Sequence, residues 1–285
     1  MNQRPQELHL DQPPIYYPTM ALPSPTLQSA RAVLNLSQPL LRRPDQDDLL
    51  IAAARPEFPI VVARQLLPVE TPLTVPHLVV QSTASRAAIS AIGAEFETRF
   101  YGDYETDPEK SFQYLRKKLH GLLTALQAVD ATPSFAGVIT VSHLNFAEQD
   151  LEPARYLAEK FLQRPPDVSA IQDTSVRLAM RYEDEYFISV TVANYEIKSL
   201  MRPVFGAQQL IQIRPWDGKI EETGIEIAVD VNNRLAAQTT QRDPEVRGDE
   251  LDTLLTVVER VTDYAPRTYV DTTQLDVQTV LREPA

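Results

Sequence analysis

The chain has 285 residues, 43% of them hydrophobic and 23% charged, with a net charge of −12 and no cysteine. That is enough apolar sequence for one substantial core, and it excludes disulfides, thiolate metal sites and cysteine nucleophiles. Charge is uneven: residues 1–84 hold six arginines against seven acids, and residues 221–285 six arginines against fourteen. Such a surface repels phosphate backbones, so nucleic acid is not an expected partner.

Only eight glycines occur, none before Gly93, and no dinucleotide fingerprint, P-loop or nucleophile elbow is present. The start leads from Met1 into polar, Pro-rich sequence without an apolar h-region, so no secretory signal is expected. No apolar run reaches the roughly 18–20 residues of a membrane helix. These features point to a cytoplasmic chain.

Thirteen of the 23 prolines fall between Pro5 and Pro76. Each removes an amide donor and fixes φ, which disfavours long helices and central strands there. Two short helices are predicted in this stretch. One covers 26–35, with Leu27, Ala30 and Leu34 on one side; the other covers 45–54, capped by Asp45 or Asp47. The rest reads as extended chain. Its apolar clusters, Ile15-Tyr16-Tyr17, Phe58 to Val62 and Leu78 to Val80, distinguish it from a disordered tail. Residues 1–85 therefore read as a Pro-rich arm that packs on its own core, a neighbouring subunit or a partner.

Regular periodicity begins near residue 86. Ile92, Ala94, Phe96, Thr98 and Phe100 alternate with Glu95, Glu97 and Arg99, the pattern of a half-buried strand. Thr106-Asp107-Pro108-Glu109 reads as a capping box opening a helix to about 129. Phe112, Leu115, Leu119, Leu122 and Leu126 give that helix one apolar stripe. A strand at 137–146 and a helix at 151–162 follow. Val176 to Tyr182, the turn Glu183-Asp184-Glu185 and residues 186–197 form a predicted hairpin. A strand at 210–214 ends at a turn carrying Trp216. Ile225, Ile227, Val229 and Val231 mark a strand at 224–232, and Leu251, Leu254, Leu255, Val258 and Val261 mark a helix over 248–264. The two strand-then-helix layouts, 91–128 and 224–264, suggest a pseudo-repeat. The expected fold is α+β: a mostly antiparallel or mixed sheet with two to three amphipathic helices on one face. The core spans 86–285, divisible into β–α units at about 86–166 and 167–285, with the arm in front.

The histidines, His9, His77, His120 and His143, have no metal-ligand spacing and read as structural. Glu226, Asp230 and Asn232 share a strand face and read as its solvated row, with a hard cation as the alternative. Arg177 and Arg181 share a face and read as cross-strand partners of acids, with an anion clamp as the alternative. Asp184 followed by Glu196-Ile197-Lys198 resembles the core of the PD-(D/E)XK nuclease family. That resemblance implies a magnesium site on the two acids and a Lys that positions water. The expected hairpin, however, sets Asp184 and Glu196 at opposite ends of a strand.

The leading expectation is a non-enzymatic interaction or assembly protein. Tyr16, Tyr17, Phe58 and Trp216 are its candidate contact residues, and a protein partner or a homo-oligomer completes it. No cofactor or metal is expected. The alternatives are a metal-dependent hydrolase or nuclease using Asp184, Glu196 and Lys198, and a small-ligand sensor.

Overall fold

Alternation of apolar and polar side chains builds most of nine antiparallel strands, and their inward rows make one core. The computed structural model describes residues 22–146, 152–162, 170–199, 219–239 and 245–282. The strands are β1 (Thr26–Leu36), β2 (Ile60–Arg64), β3 (Leu78–Gln81), β4 (Ser85–Ile89), β5 (Gly93–Arg99), β6 (Pro133–Asn145), β7 (Ser175–Tyr182), β8 (Tyr186–Ser199) and β9 (Lys219–Asn232). They form one sheet in the order β2-β3-β4-β5-β1-β6-β9-β8-β7. The strand expected at 210–214 lies outside the described residues, as do Tyr16, Tyr17 and Trp216.

Helices cover one face. They are α1 (Pro44–Ala54), α2 (Asp103–Thr106), α3 (Pro108–Gln127), α4 (Pro153–Phe161), α5 (Arg234–Thr239), α6 (Gly248–Tyr264), α7 (Val270–Thr272) and α8 (Val277–Arg282). That is more than the two to three expected, but α1, α3, α4 and α6 supply the layer and the others are short. The stripe of α3 is fully buried, with Leu119 and Leu122 at 0% exposure. The α3 cap is Asp107, whose carboxylate accepts from the Lys110 amide at 3.1 Å, one residue beyond the expected Thr106. Thr140 on β6 and Thr262 on α6 share a buried hydroxyl hydrogen bond of 2.6 Å.

Residues 26–35, expected as a helix, form the central strand β1. It pairs with β5 through Ala32 opposite Phe96 and with β6 through Ala32 opposite Val138. A register shift between Leu27 and Ser29 turns Leu27 to the same face as Ala30, Ala32 and Leu34, all buried. This bulge reproduces the three- and four-residue spacing of a helix face. The described part of the Pro-rich segment thus packs on its own chain. Leu50, Phe58, Leu78 and Val80 join the same hydrophobic cluster as Leu119, Val229 and Leu254.

Two halves share one topology. In the first, β1 leads through α1 to β3, β4, β5 and α3; in the second, β6 leads through α4 to β7, β8, β9 and α6. In each half the first strand pairs with the last and the last with the one before it. The first half adds one outer strand, β2. Local chemistry repeats as well. Val33-Leu34-Asn35 faces Glu95-Ala94-Gly93, and His143-Leu144-Asn145 faces Glu226-Ile225-Gly224. The Leu36 amide donates to the Ile92 carbonyl at 2.9 Å, and the Phe146 amide to the Thr223 carbonyl at 2.9 Å. A Cβ at Gly93 would lie 2.5 Å from the Leu34 carbonyl oxygen, and one at Gly224 would overlap the Leu144 carbonyl. Only glycine tolerates that approach.

Two stability outcomes follow. Leu119→Ala or Leu122→Ala should each cost about 2–5 kcal/mol in urea unfolding, since both remove fully packed atoms; a loss under about 0.5 kcal/mol at both would contradict the stripe. A chain starting at Ser85 lacks β1 and should show no cooperative melt by circular dichroism, whereas a wild-type-like melt would show that β1 is dispensable.

Candidate interaction surface

The sequence-derived catalytic residues stay apart. Asp184 sits in the β7–β8 turn at φ 54°, and Tyr186 pairs with Tyr182 to close the hairpin. Glu196 lies ten residues farther along β8, roughly 33 Å away at strand rise. It pairs with Lys198 at 3.0 Å. Among the described residues no group of three His, Asp or Glu side chains is arranged to hold a metal ion. The row Glu226, Asp230, Asn232 is engaged locally. Glu226 meets His143, and the Asn232 amide donates to Asp230 at 3.2 Å. Arg177, rather than finding an acid, donates to Ser189 at 2.8 Å.

Three polar clusters hold elements together. His143 stacks on Tyr195 with ring centroids 4.1 Å apart. Its Nε2 lies 3.4 Å from Glu226 and its Nδ1 3.8 Å from Glu222. The hydrogen bond from His143 holds the Glu226 carboxyl below its usual range. Burial, then the hydrogen bond to Glu222, push the Tyr195 phenol upward. The cluster ties β6, β9 and β8 across the helix-free face. At the other end, Lys118 is buried against Phe58 and Tyr114 and bonds to Glu57, fastening α3 to the α1–β2 connection.

The third cluster fixes β2. Asp47 on α1 is buried and receives Arg64 at 3.3 Å, with His77 Nε2 3.3 Å from its second oxygen. Arg64 also reaches Asp48 at 2.7 Å and the Pro44 carbonyl at 2.5 Å. Arg42 donates to the carbonyls of Thr71 and Pro72, clamping the loop between β2 and β3. Burial lowers the His77 pKa; Arg42 lowers it further, against the opposing pull of Asp47.

Phe58, a candidate contact residue from the sequence, is instead core. It is 2% exposed and meets Phe96 edge-on, 6.3 Å between centroids. Exposure begins with the next residue, Pro59. Ile60 is 52% exposed, Val61 43% and Val62 51%, on a strand with no neighbour on its outer side among the described residues. Leu66, Val69 and Leu73 in the following loop are exposed too, as are Leu41 and Leu49. Eight of the fifteen exposed large apolar side chains of the described residues thus lie between 41 and 73. The tie from Arg64 to α1 and the clamp from Arg42 to Thr71 and Pro72 bring them to one end of the molecule. The opposite edge, β7, carries exposed Arg177 and Arg181, the charged guard that discourages edge pairing. The signal for β2 was present in Pro59-Ile60-Val61-Val62: a β-branched run without alternation has no polar face to turn outward.

The chain matches no protein-family model and no curated protein sequence.

A pH outcome follows from His77. Its lowered folded-state pKa means the native state favours the neutral ring. Stability is therefore complete above the ordinary histidine value of 6.5 and declines as pH falls through the lower folded value, because the unfolded chain binds the proton more readily. Urea melts at stepped pH should show a steeper acid loss for wild type than for His77→Gln. Superimposable profiles would contradict the assignment.

Proposed function

We propose that the protein is a non-enzymatic interaction or assembly factor that binds through the β2 edge and its flanking loop. One observation carries the reading: exposed apolar side chains concentrate on a sheet edge whose one charged side chain, Arg64, is held by Asp47, Asp48 and the Pro44 carbonyl. Exposed apolar surface of this kind costs solubility unless a partner covers it, and an open edge strand offers a ready backbone ladder. No described helix is long and apolar enough to cross a membrane.

A second reading, a small-ligand sensor, is favoured by a cleft of about 770 Å³ between α3 and α6. Arg116, Arg260, Arg267, Glu259, Asp263 and Tyr264 are among its lining residues. Arg116 is already held by Glu259 at 2.8 Å, so a ligand there would have to compete. A melting-temperature screen of small polar metabolites tests it, and no shift with any of them would remove it.

For the leading reading, a photo-activated cross-linking residue is placed at Val62 and, separately, at Glu97 on the helix-free face. Adducts of higher mass should form from position 62 in the cell and not from position 97. Equal yields at both, or none at 62, would contradict it.

A further inference from the structure

We infer that the surface covering β2 is the β2 strand of a second copy, paired antiparallel across a two-fold axis near Val62. The inference rests on the β2 edge being a binding surface and adds the identity of its occupant.

A two-fold contact places each residue opposite its equivalent or a near neighbour. Like charges directly opposite each other on paired strands are destabilising, so only an uncharged strand pairs well with itself. From Phe58 to Val69 the one charged side chain is Arg64, and its guanidinium is committed inward to Asp47, Asp48 and the Pro44 carbonyl. The whole chain carries −12, so two copies repel each other at long range. β2 is a neutral window in that field. The other edge fails the same requirement, because Arg177 and Arg181 would approach their own equivalents.

The local register suits the axis. Val61 pairs with Val80 and Ala63 with Val79, which leaves Val62 without a counterpart on β3. An axis at Val62 sets Val61 opposite the second copy's Ala63, and Ile60 opposite its Arg64. The β-branched side chains then meet across the new ladder, and the two nine-stranded sheets continue into one. The exposed Leu66, Val69 and Leu73 beside the strand add apolar area towards the roughly 800 Å² per partner of a standard interface.

The test is sedimentation equilibrium on the full chain up to about 100 μM, for wild type, Val62→Lys, Val62→Glu and an equimolar mixture of the two variants. The expected result is a wild-type dimer, both variants at least about tenfold weaker, and association regained in the mixture, because opposite charges then meet on the axis. Added salt should strengthen the wild-type dimer by screening the net repulsion. Both variants should keep the wild-type melt at low concentration, since the Val62 side chain is half exposed; Val62→Thr, which adds no charge, serves if either fails to fold. A monomeric wild type overturns the inference, as does a dimer that survives both charged variants. A monomer that still cross-links from position 62 to a different protein overturns the second copy and leaves the edge as a binding surface. A monomer that forms no adduct removes both readings.

Discussion

The antiparallel pairing of β1 with β6 is the contact on which everything else depends. It runs from Thr26 opposite His143 to Leu36 opposite Pro133 and is the only direct strand link between the two halves among the described residues. Every other strand pair lies within one half. Without it, β1 and β6 would each expose an edge in the middle of the molecule, and the helices α3 and α6 would have two small platforms in place of one. Small side chains make the seam close. Ala30, Ala32, Ala136 and Val138 face the helices across it, leaving room for the large residues of α3 and α6 above them.

Around this seam the halves repeat their topology and their glycine contacts but differ in polar chemistry. Position Glu95 in the first half and Glu226 in the second occupy the same place after their glycines. Beside Glu226 stands His143, which binds it; the corresponding neighbour of Glu95 is Val33. The first half carries instead the Asp47–His77–Arg64 cluster, built on buried Asp47 and His77, that holds its extra strand. That cluster explains how β2 can be exposed yet well placed: its polar end is anchored to α1, while its apolar run remains bare. Stability and accessibility are thus divided within a five-residue strand.

Much of this fold was legible in the sequence. The stripe of α3, the alternation of β5 and β9 and the β7–β8 hairpin stand because each has a single period with an apolar inner row. β1 was misread because its bulge brings Leu27 and Ala30 to one face, a spacing indistinguishable from a helix without its partners. The prolines suggest an extended arm; in its described part, Pro25 and Pro39 flank the strand and take no part in its ladder. The interaction surface was half legible. Phe58 to Val62 was recognisable as an apolar cluster, but a cluster does not say which members face inward. Only the contact of Phe58 with Phe96 and the outer position of β2 separate core from surface.

Native-state hydrogen exchange tests the central claim most directly. If β1 is the seam, the amides of Ala30, Ala32 and Leu34 should exchange only on global unfolding, with the same opening free energy as Val138 and Thr140 on β6. Faster exchange of the β1 amides than of β6, through a separate local opening, would show that the first strand is an attached arm and that the sheet does not depend on it.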